Sequence, residues 1–396
     1  MKNIMITGGA GFIGSNLVEF MIRKYPEYNI VVYDKFTYAA DRDNLKEFIH
    51  NKNLTIVEDD ICKFQSVYDV ICYFNIDTII HLAAESHVDN RILSPGEFIK
   101  TNIVGTYNLL EAARQAWEPD NFVGKRFHHV STDEVYGSLN LSDEPFTETT
   151  SYDPRSPYSA SKASSDHLVM AYYHTYGLPV TISNCSNNYG PNQHKEKLIP
   201  KTIKALIDGE QITVYGEGKN VRDWLFVVDH AFAIDDILHK GKIGETYNIG
   251  GNNEMSNIDI INTIVSVYEE MTNTKVRPDF IKFVEDRKGH DFRYAIDFSK
   301  LTKETQWQPC IPFTNGIRRT IKYYLKSSKM IKKTEVKVFV ERLYCDECGG
   351  EMYMNDIAGI LLTFPPQYPH KCVNCGKTTI VNEHYPKTIY EEVKDV

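Results

Sequence analysis

Short apolar runs alternate with amphipathic stretches through the first half of the chain, and no other feature limits the possible folds as much. The amphipathic stretches, such as Gly14–Lys24 and Phe98–Trp117, have apolar residues at helical spacing. Parallel strands need crossover connections, usually helices, so the alternation predicts an α/β fold with a doubly wound parallel sheet. The runs predicted as strands are Asn3–Thr7, Asn29–Asp34, Leu54–Asp60, Thr78–Ala84, Phe127–Thr132 and Val180–Cys185.

Three glycines follow the first predicted strand and open a predicted helix. Gly8 permits a tight turn, Gly11 lets a pyrophosphate approach the backbone, and Gly14 lets the helix pack on the sheet. Asp34 ends the next strand, where its carboxylate can bind a ribose 2′-hydroxyl but would repel a 2′-phosphate. The pattern predicts a Rossmann-type site that prefers NAD to NADP, and a glycine-rich turn without a ligand is the alternative.

Further cofactor contacts are expected where neighbouring strands end, at the same edge of the sheet. The end of the third strand is expected on the adenine side and the end of the fourth on the nicotinamide side, although each could be an ordinary strand end. The expected residues there are Asp60, Ile61, Leu82, Ala83 and Ala84. The residues expected to complete the site beside the glycines and Asp34 are Phe12, Ile13, Lys35 and Thr37.

Tyr158 and Lys162 lie four residues apart, which places them on one face of a helix. A tyrosine ordinarily has a pKa near ~10. A neighbouring ammonium and the positive nicotinamide favour the phenolate, which can take a proton from an alcohol while a hydride leaves for NAD. A surface pair has the same spacing, but the preceding dinucleotide motif favours a catalytic role.

Thr132, Asp133 and Glu134 follow the strand Phe127–Thr132, at the sheet edge where active-site groups are expected. A simple dehydrogenase needs only the tyrosine and a hydroxyl such as Thr132. An elimination of water also needs an acid for the leaving hydroxyl and a base for a carbon-bound proton. The two carboxyls therefore predict a dehydratase, although adjacent acids on a loop are often only solvated.

Several longer segments carry a family resemblance. Besides the glycine segment they are His81–Asp89, Ser131–Gly137, Ser156–Lys162, Asn184–Pro191, Glu196–Pro200, Asn220–Trp224 and Asp286–Asp291. In these segments the chain resembles the extended short-chain dehydrogenases/reductases, and specifically the dTDP-glucose 4,6-dehydratases, from about residue 2 to residue 326. Asn90 and Lys195 depart from the family's usual arginine and proline, and the C-terminal tail is not a usual part of this family.

The resemblance implies a reaction on a glucose ring. Tyr158 removes the proton of the 4-hydroxyl, Thr132 holds that oxygen, and Lys162 supports Tyr158 and binds the nicotinamide ribose. Glu134 then removes the C5 proton, Asp133 protonates the departing C6 hydroxyl, and the hydride returns to C6. The product is a 4-keto-6-deoxy sugar nucleotide for deoxysugar biosynthesis of the rhamnose type, and the tightly bound NAD is recycled.

The resemblance also implies contacts with the nucleotide sugar. Arg222 and Lys197 suit a diphosphate, with a surface ion pair as the alternative. Thr101 and Asn188 would help to hold the cofactor, whereas His81 is predicted to be a packed strand residue. The expected substrate contacts are Ser86, Thr132, Asn187, Lys197, Leu198, Tyr215, Arg222, Asn257, Asp286, Arg287 and His290.

Other functions remain open at this point. UDP-glucose differs from dTDP-glucose only by a methyl on the base and a hydroxyl on the ribose. A related epimerase or decarboxylase is a second enzyme hypothesis, but an epimerase would not need both Asp133 and Glu134. A third hypothesis is a regulatory or binding protein that uses the tail to recognise a partner, which the intact catalytic set disfavours.

Two Cys-x-x-Cys pairs lie near the C-terminus, and a glycine follows each. Four cytosolic thiolates predict a closed, tetrahedral structural zinc site in a zinc-ribbon-like tail. Disulfides, a redox site or an iron site are the alternatives. The predicted ligands are Cys345, Cys348, Cys372 and Cys375.

Composition and length set the wider limits. The 396 residues carry a net charge of −9, which argues against a nucleic-acid or membrane-surface binder. Residues 1–190 are predicted as an NAD-binding domain to which later segments return, and residues 191–326 as a smaller α/β substrate lobe. A basic linker at 327–340 and the tail at 341–396 follow. We expect a cytoplasmic homodimer, with Phe98–Trp117 and Tyr158–Tyr176 in the interface.

Overall fold

The computed structural model describes residues 2–86, 95–285, 292–330, 336–354, 368–381 and 387–392. The chain divides into two units, Met1–Ser328 and Lys329–Val396. Among the described helices, none has the length and apolar character that a membrane crossing requires. The finer division of the first unit near residue 190 stays a prediction.

The first unit alternates strands and helices in its first half. Its strands are β1 (Asn3–Thr7), β2 (Asn29–Asp34), β3 (Leu54–Glu58), β4 (Thr78–His81), β5 (Arg126–Thr132), β6 (Val180–Cys185), β7 (Asn187–Tyr189), β8 (Ile212–Tyr215), β9 (Val221–Phe226), β10 (Thr246–Ile249), β11 (Glu254–Ser256) and β12 (Ile281–Val284). Its helices are α1 (Phe12–Lys24), α2 (Phe64–Tyr73), α3 (Pro95–Phe98), α4 (Gly105–Trp117), α5 (Pro157–Tyr176), α6 (Leu198–Asp208), α7 (Val227–Lys240), α8 (Asn257–Thr272), α9 (Ser299–Thr305) and α10 (Phe313–Met330).

A seven-stranded parallel sheet forms the centre of this unit, in the order β10-β6-β5-β4-β1-β2-β3. Thr246–Ile249 is the segment that returns from the second half of the chain, and it pairs with β6. The remaining strands form two small sheets, β11-β9-β7 and β12-β8. The Rossmann-type parallel sheet predicted from the sequence is confirmed.

Helices cover both faces of the central sheet. Successive side chains of β1 point to opposite faces, as the pleat requires. Met5 therefore packs with Val67 of α2 and Leu109 of α4, whereas Ile6 packs with Leu17 of α1. Burial on both faces explains why these strands read as continuous apolar runs rather than as alternating ones.

The second unit is built from short strands. They are β13 (Val336–Glu341), β14 (Leu343–Tyr344), β15 (Glu351–Met354), β16 (Tyr368–Cys372), β17 (Thr378–Val381) and β18 (Lys387–Glu392). β13 pairs with β18, and β14-β15-β16-β17 form an antiparallel sheet.

Candidate active site

The carboxyl ends of the parallel strands meet at one edge of the central sheet, and a cavity of about 390 Å³ lies there. Register fixes this convergence, because Thr7 pairs with His81 and Thr132 pairs with Cys185. The cavity is lined by every predicted cofactor residue and every predicted catalytic residue. These are Gly8, Gly11, Phe12, Ile13, Gly14, Asp34, Lys35, Thr37, Asp60, Ile61, Leu82, Ala83, Ala84, Thr101, Thr132, Asp133, Glu134, Tyr158, Lys162 and Asn188.

The glycine segment forms a cradle that side chains would fill. Gly8 has a φ of +70°, and a Cβ there would lie 2.8 Å from the Cα of Ala83. A Cβ on Gly14 would lie 2.2 Å from the carbonyl oxygen of Gly8. Gly11 caps α1 without a side-chain hydrogen bond, which leaves first-turn N–H groups available for an anion. This geometry fits a dinucleotide pyrophosphate.

Asp34 organises the turn as well as bordering the cavity. Its two carboxylate oxygens accept hydrogen bonds from the backbone N–H groups of Ala10 and Phe36, both at 2.9 Å. Each carboxylate oxygen has two lone pairs, so capacity remains for a ribose hydroxyl. Burial raises the pKa of Asp34, although these hydrogen bonds act to lower it. Nearby, Lys35 pairs with Asp60 at 2.8 Å.

Tyr158 lies in the first turn of α5, whose start the sequence specifies closely. The hydroxyl of Ser156 accepts from the N–H of Ser159, and the Ser159 hydroxyl accepts from the N–H of Ser156 in return. Pro157 occupies the first helical position, where its missing N–H costs nothing. This capping box fixes where α5 begins, and so presents Tyr158 and Lys162 to the cavity together.

Asp133 is the most strongly perturbed acid of the cavity. Its side chain is buried, and burial, with the charges of Glu134 and Asp223, raises its pKa to about 8. Its Oδ1 faces the Thr132 hydroxyl at 3.3 Å, whereas its Oδ2 has no hydrogen-bond partner among the described residues. Asp133 is therefore a neutral acid near pH 7, with a proton to donate.

The structure places the predicted substrate contacts in three groups. Ser86, Thr132, Asn187 and Lys197 line the cavity. The segment with Asp286, Arg287 and His290 lies outside the described residues. The described residues that do not line the cavity are Leu198, Tyr215, Arg222 and Asn257.

Arg222 illustrates why the substrate contacts predicted for residues outside the cavity lining stay predictions. Its guanidinium donates to the carbonyl oxygens of Val221 and Phe292 and lies 4.4 Å from the ring centre of Tyr294. Part of its donor capacity is therefore used on the backbone. Leu198, Tyr215 and Asn257 lie outside the lining of the cavity, and their contact with substrate stays a prediction.

His81 behaves as predicted for a packed strand residue. It is 1% exposed, and its ring nitrogens lie 2.8 Å from the Thr7 hydroxyl and 2.9 Å from the Thr106 hydroxyl. Burial holds its pKa well below the usual range.

Sequence reasoning missed two pairs at this site. Tyr38 donates to Glu85 at 2.5 Å, and both border the cavity; Glu85 lies in the segment His81–Asp89, but no motif marks Tyr38. His129 and Asp166 lie behind Lys162 and face each other at 3.2 Å. Asp166 follows Lys162 by four residues, so helical spacing could have found it.

In the second unit, the four predicted cysteines come together. Their sulfur atoms all lie within 4.8 Å of one another, with Cys345–Cys375 at 3.7 Å and Cys348–Cys372 at 3.5 Å. Four thiolates about 2.3 Å from one tetrahedral ion lie about 3.8 Å apart, which these two distances approach. They also exceed the ~2.05 Å of a disulfide bond.

Comparisons with known proteins agree with the geometry of the first unit. The family model described as GDP-mannose 4,6 dehydratase matches residues 5–320. A dTDP-glucose 4,6-dehydratase of Neisseria meningitidis serogroup B is 50% identical over 333 residues, which cover 82% of this chain and 94% of the relative.

Solved structures agree as well. A dTDP-glucose 4,6-dehydratase from Bacillus anthracis in complex with NAD is 42% identical, with a TM-score of 0.75 over 83% of this chain and 98% of that chain. A dTDP-glucose 4,6-dehydratase from Streptomyces venezuelae with NAD and TYD bound is 39% identical, with a TM-score of 0.76 over the same shares.

The Rossmann-type sheet with its Tyr–Lys helix defines an extended short-chain dehydrogenase/reductase. Within that class, the chain belongs to the dTDP-glucose 4,6-dehydratase family. The family model's match ends at residue 320, before the four cysteines.

Proposed function

We propose that the chain converts dTDP-glucose to dTDP-4-keto-6-deoxyglucose and water, as a hydro-lyase. The observation that carries this proposal is the pair of acids after β5, beside Tyr158 and Lys162. Asp133 is buried and neutral near pH 7, and Glu134 borders the same cavity. An oxidation alone needs neither acid, whereas an elimination needs a proton donor and a proton acceptor. The activities of the named relatives support the same reaction.

The glycine cradle, the start of α1 and Asp34 fit NAD. The cradle would hold the pyrophosphate, Asp34 the adenosine ribose, and Lys162 the nicotinamide ribose. When bound, NAD would accept a hydride from the sugar and later return it. We expect the purified protein to contain NAD without addition, and NAD-bound relatives support this.

The chain's own residues would handle the protons. Tyr158 takes the proton of the 4-hydroxyl, while the Thr132 hydroxyl holds the same oxygen. The resulting 4-keto group makes the C5 proton acidic, and Glu134 removes it. Asp133 gives its proton to the C6 hydroxyl, which leaves as water. The raised pKa of Asp133, about 8, suits the role of the acid.

Product mass tests the proposal directly. The protein is incubated with dTDP-glucose and, separately, with UDP-glucose. A product lighter than dTDP-glucose by one water is expected, and the Tyr158→Phe variant should give none. A product of unchanged mass would overturn the proposal in favour of an epimerase. Turnover of UDP-glucose alone would overturn the assigned nucleotide.

We also propose that the second unit binds one zinc ion. The four sulfur atoms have the spacing of a tetrahedral site, and Gly349 and Gly376 supply the positive φ angles after each pair. Four thiolates fill the coordination shell, so this zinc would be structural. Metal analysis under reducing conditions should find one zinc per chain. Iron, or no metal, would contradict this.

The chain is further proposed to form a homodimer through the surface of α4 and α5. Val104, just before α4, Tyr107, in the first turn of α4, and Tyr176, at the end of α5, are large apolar side chains more than two-fifths exposed. Such residues clustered on neighbouring helices are typical of an interface. Light scattering at micromolar concentration should give twice the chain mass of 45.5 kDa. A monomer would contradict the proposal.

A further inference from the structure

Lys162 is the most deeply buried cation of the active site, and two more buried groups lie behind it. Its Nζ donates to the carbonyl oxygen of Val130 at 2.9 Å and lies 3.4 Å from Nε2 of His129. The same Nε2 lies 3.2 Å from Oδ1 of Asp166. Lys162, His129 and Asp166 are each 4% exposed or less. A lysine, a histidine and an aspartate thus form a line into the protein interior.

The contacts of Asp166 favour its charged form. Its Oδ2 accepts hydrogen bonds from the hydroxyls of Ser131 and Tyr152, both at 2.9 Å. The Nδ1 of His129 has no partner among the described residues, so a proton there would be a buried, unpaired donor. Oδ1 of Asp166 lies 3.2 Å from Nε2 of His129 and has no hydrogen-bond partner among the described residues. The two hydrogen bonds that Asp166 accepts are therefore both at Oδ2.

Helix α5 sets the order of these groups. Tyr158, Lys162 and Asp166 follow each other at intervals of four residues, which is one stripe along the helix. At about 1.5 Å per residue, Asp166 lies about 12 Å along the axis from Tyr158, with Lys162 between them. The charge of Asp166 therefore reaches Tyr158 mainly through its effect on Lys162.

We propose that Asp166 is a positioning residue of the reaction, whose buried carboxylate, one helical turn from Lys162, keeps Lys162 an ammonium beside Tyr158. This inference rests on the proposed roles of Tyr158 and Lys162. A fully buried ammonium is costly unless an opposite charge compensates it. Burial lowers the pKa of Lys162, and the charge of Asp166 acts against that effect. Burial in turn raises the pKa of Asp166 to about 6, although Lys162, Ser131 and Tyr152 each act to lower it.

The titratable groups around Lys162 and Asp166 determine how this network responds to pH. Burial holds the pKa values of His81 and His129 well below the usual range, so both stay neutral. Burial raises the pKa of Cys185 to about 12, and it also raises those of Tyr136 and Tyr152. The titratable groups that face the network from β4, β5, β6, α5 and the segment before α5 are His81, His129, Cys185, Tyr136, Tyr152, Lys162, Asp166 and His167.

The test measures two pH profiles of the full-length, NAD-loaded protein. The first follows reduction of the bound cofactor on mixing with dTDP-glucose. The second follows ionisation of Tyr158 without substrate, by the ultraviolet difference from the Tyr158→Phe variant. With Asp166→Asn, both midpoints should move to higher pH by about one unit, because Tyr158 loses part of its positive neighbour. A fall in rate by one constant factor at every pH, without a shift, would overturn the inference.

Two further variants complete the test. Tyr152→Phe removes one hydrogen bond to Asp166, so a smaller shift in the same direction is expected. This variant decides the question if Asp166→Asn does not fold. Asp235→Asn is the matched control, since Asp235 is a buried acid paired with Lys24 and does not line the cavity. It should shift neither midpoint. A wild-type protein that leaves dTDP-glucose unchanged would refute the proposed function, while the Tyr158 titration would still test this inference.

Discussion

Asp133 and Glu134 are neighbours in sequence, yet their surroundings suit them to opposite tasks. Asp133 is 2% exposed and has its pKa raised to about 8 by burial, by Glu134 and by Asp223. Glu134 is only half-buried, and its N–H donates to the Thr132 hydroxyl at 3.3 Å. A buried acid with a raised pKa can keep a proton to donate at a pH where carboxyl groups are ordinarily ionised.

Replacing either acid should separate the two halves of the reaction. In Asp133→Asn and Glu134→Gln, we expect dehydration to slow by about 10²-fold or more, because each removes a proton-transfer group. Reduction of the bound cofactor should persist, since neither acid is needed for the first oxidation. Stopped-flow absorbance and product mass measure the two halves. Dehydration at the wild-type rate in both variants would contradict the assigned roles, and Tyr158→Phe should suppress cofactor reduction itself.

The raised pKa of Asp133 also predicts how stability depends on pH. The folded state keeps a proton to about pH 8 that the unfolded chain releases near pH 4. Raising the pH between these values therefore favours the unfolded state, by on the order of 1 kcal/mol per pH unit. The Asp133→Asn variant does not lose stability in this way. Its free energy of unfolding, relative to that of the wild type, should therefore increase from pH 6 to pH 8.

Urea unfolding followed by tryptophan fluorescence measures this difference in the first unit, where Trp117, Trp224 and Trp307 all lie. Asp235→Asn is the control. Hydrogen bonds from His239 and Lys24 hold the pKa of Asp235 below its usual range against burial. The Asp235 carboxylate is therefore ionised at both pH 6 and pH 8, and its loss should destabilise the protein at both. An Asp133→Asn difference that does not change with pH would contradict the prediction.

Sequence alone could identify residues that follow a strand or share a helix face with a known partner. Tyr158 and Lys162 are found in this way, and so are Asp133 and Glu134. Asp166 continues the same stripe, but an acid on a helix is usually solvated, and only the packing of β5 beneath α5 shows that this one is buried. The partner of Tyr38 could not be predicted, because Glu85 lies 47 residues away in sequence.

At the scale of elements, the start of α1 is where fold and cofactor site depend on the same atoms. The turn from β1 into α1 brings the backbone at Gly8 against Ala83, and Gly14 against Gly8. Neither approach leaves room for a side chain. The glycines are therefore needed for packing even before any ligand is bound.

Gly14→Ala should lower both the stability of the protein and its content of bound NAD. The added Cβ would lie 2.2 Å from the Gly8 carbonyl oxygen and 2.7 Å from the Gly9 Cα, so the turn must move. Overpacking of this kind costs about 1–3 kcal/mol. We expect a lower melting temperature and less NAD released per chain after denaturation. Gly96→Ala is the control, since a Cβ built there has no described atom within 4 Å other than those of its own helix and chain neighbours. NAD content equal to wild type in Gly14→Ala would contradict this.

Element boundaries were predictable where apolar runs and helix signals are local. β1, β2 and β6 match their predicted bounds, whereas β3 and β4 end earlier, at Glu58 and His81. Each of these strands is followed by apolar or acidic residues that line the cavity. Their sequence is typical of a strand, although their backbone no longer pairs with a neighbouring strand. The pairing of β10 with β6 joins segments about 60 residues apart, which local patterns cannot show.

At the scale of the whole molecule, chemistry and metal binding are assigned to different units. Every proposed catalytic and cofactor residue lies within Met1–Ser328, and the four cysteines lie within Lys329–Val396. Among its described residues, the second unit has a small apolar cluster of Leu343, Met352 and two of the cysteines. So small a core needs additional stabilisation, which a bound metal can supply.

Ending the chain after Ser328 should leave turnover per active site largely unchanged, because the proposed chemistry needs no residue beyond it. The full-length Cys348→Ser variant is the matched control, and it should lose zinc but keep activity. Activity on dTDP-glucose, metal content and bound NAD are measured for each. A truncated protein that folds and holds NAD but has lost activity would contradict the prediction.

The most direct test of the central claim, that Asp133 and Glu134 drive an elimination, is the reaction in heavy water followed by NMR. Removal of the C5 proton by Glu134 and its later replacement from solvent predict one deuterium at C5 of a product that has lost water. Glu134→Gln should give neither change. A wild-type product that has lost no water, or that carries only hydrogen at C5, would contradict the assignment of these two acids.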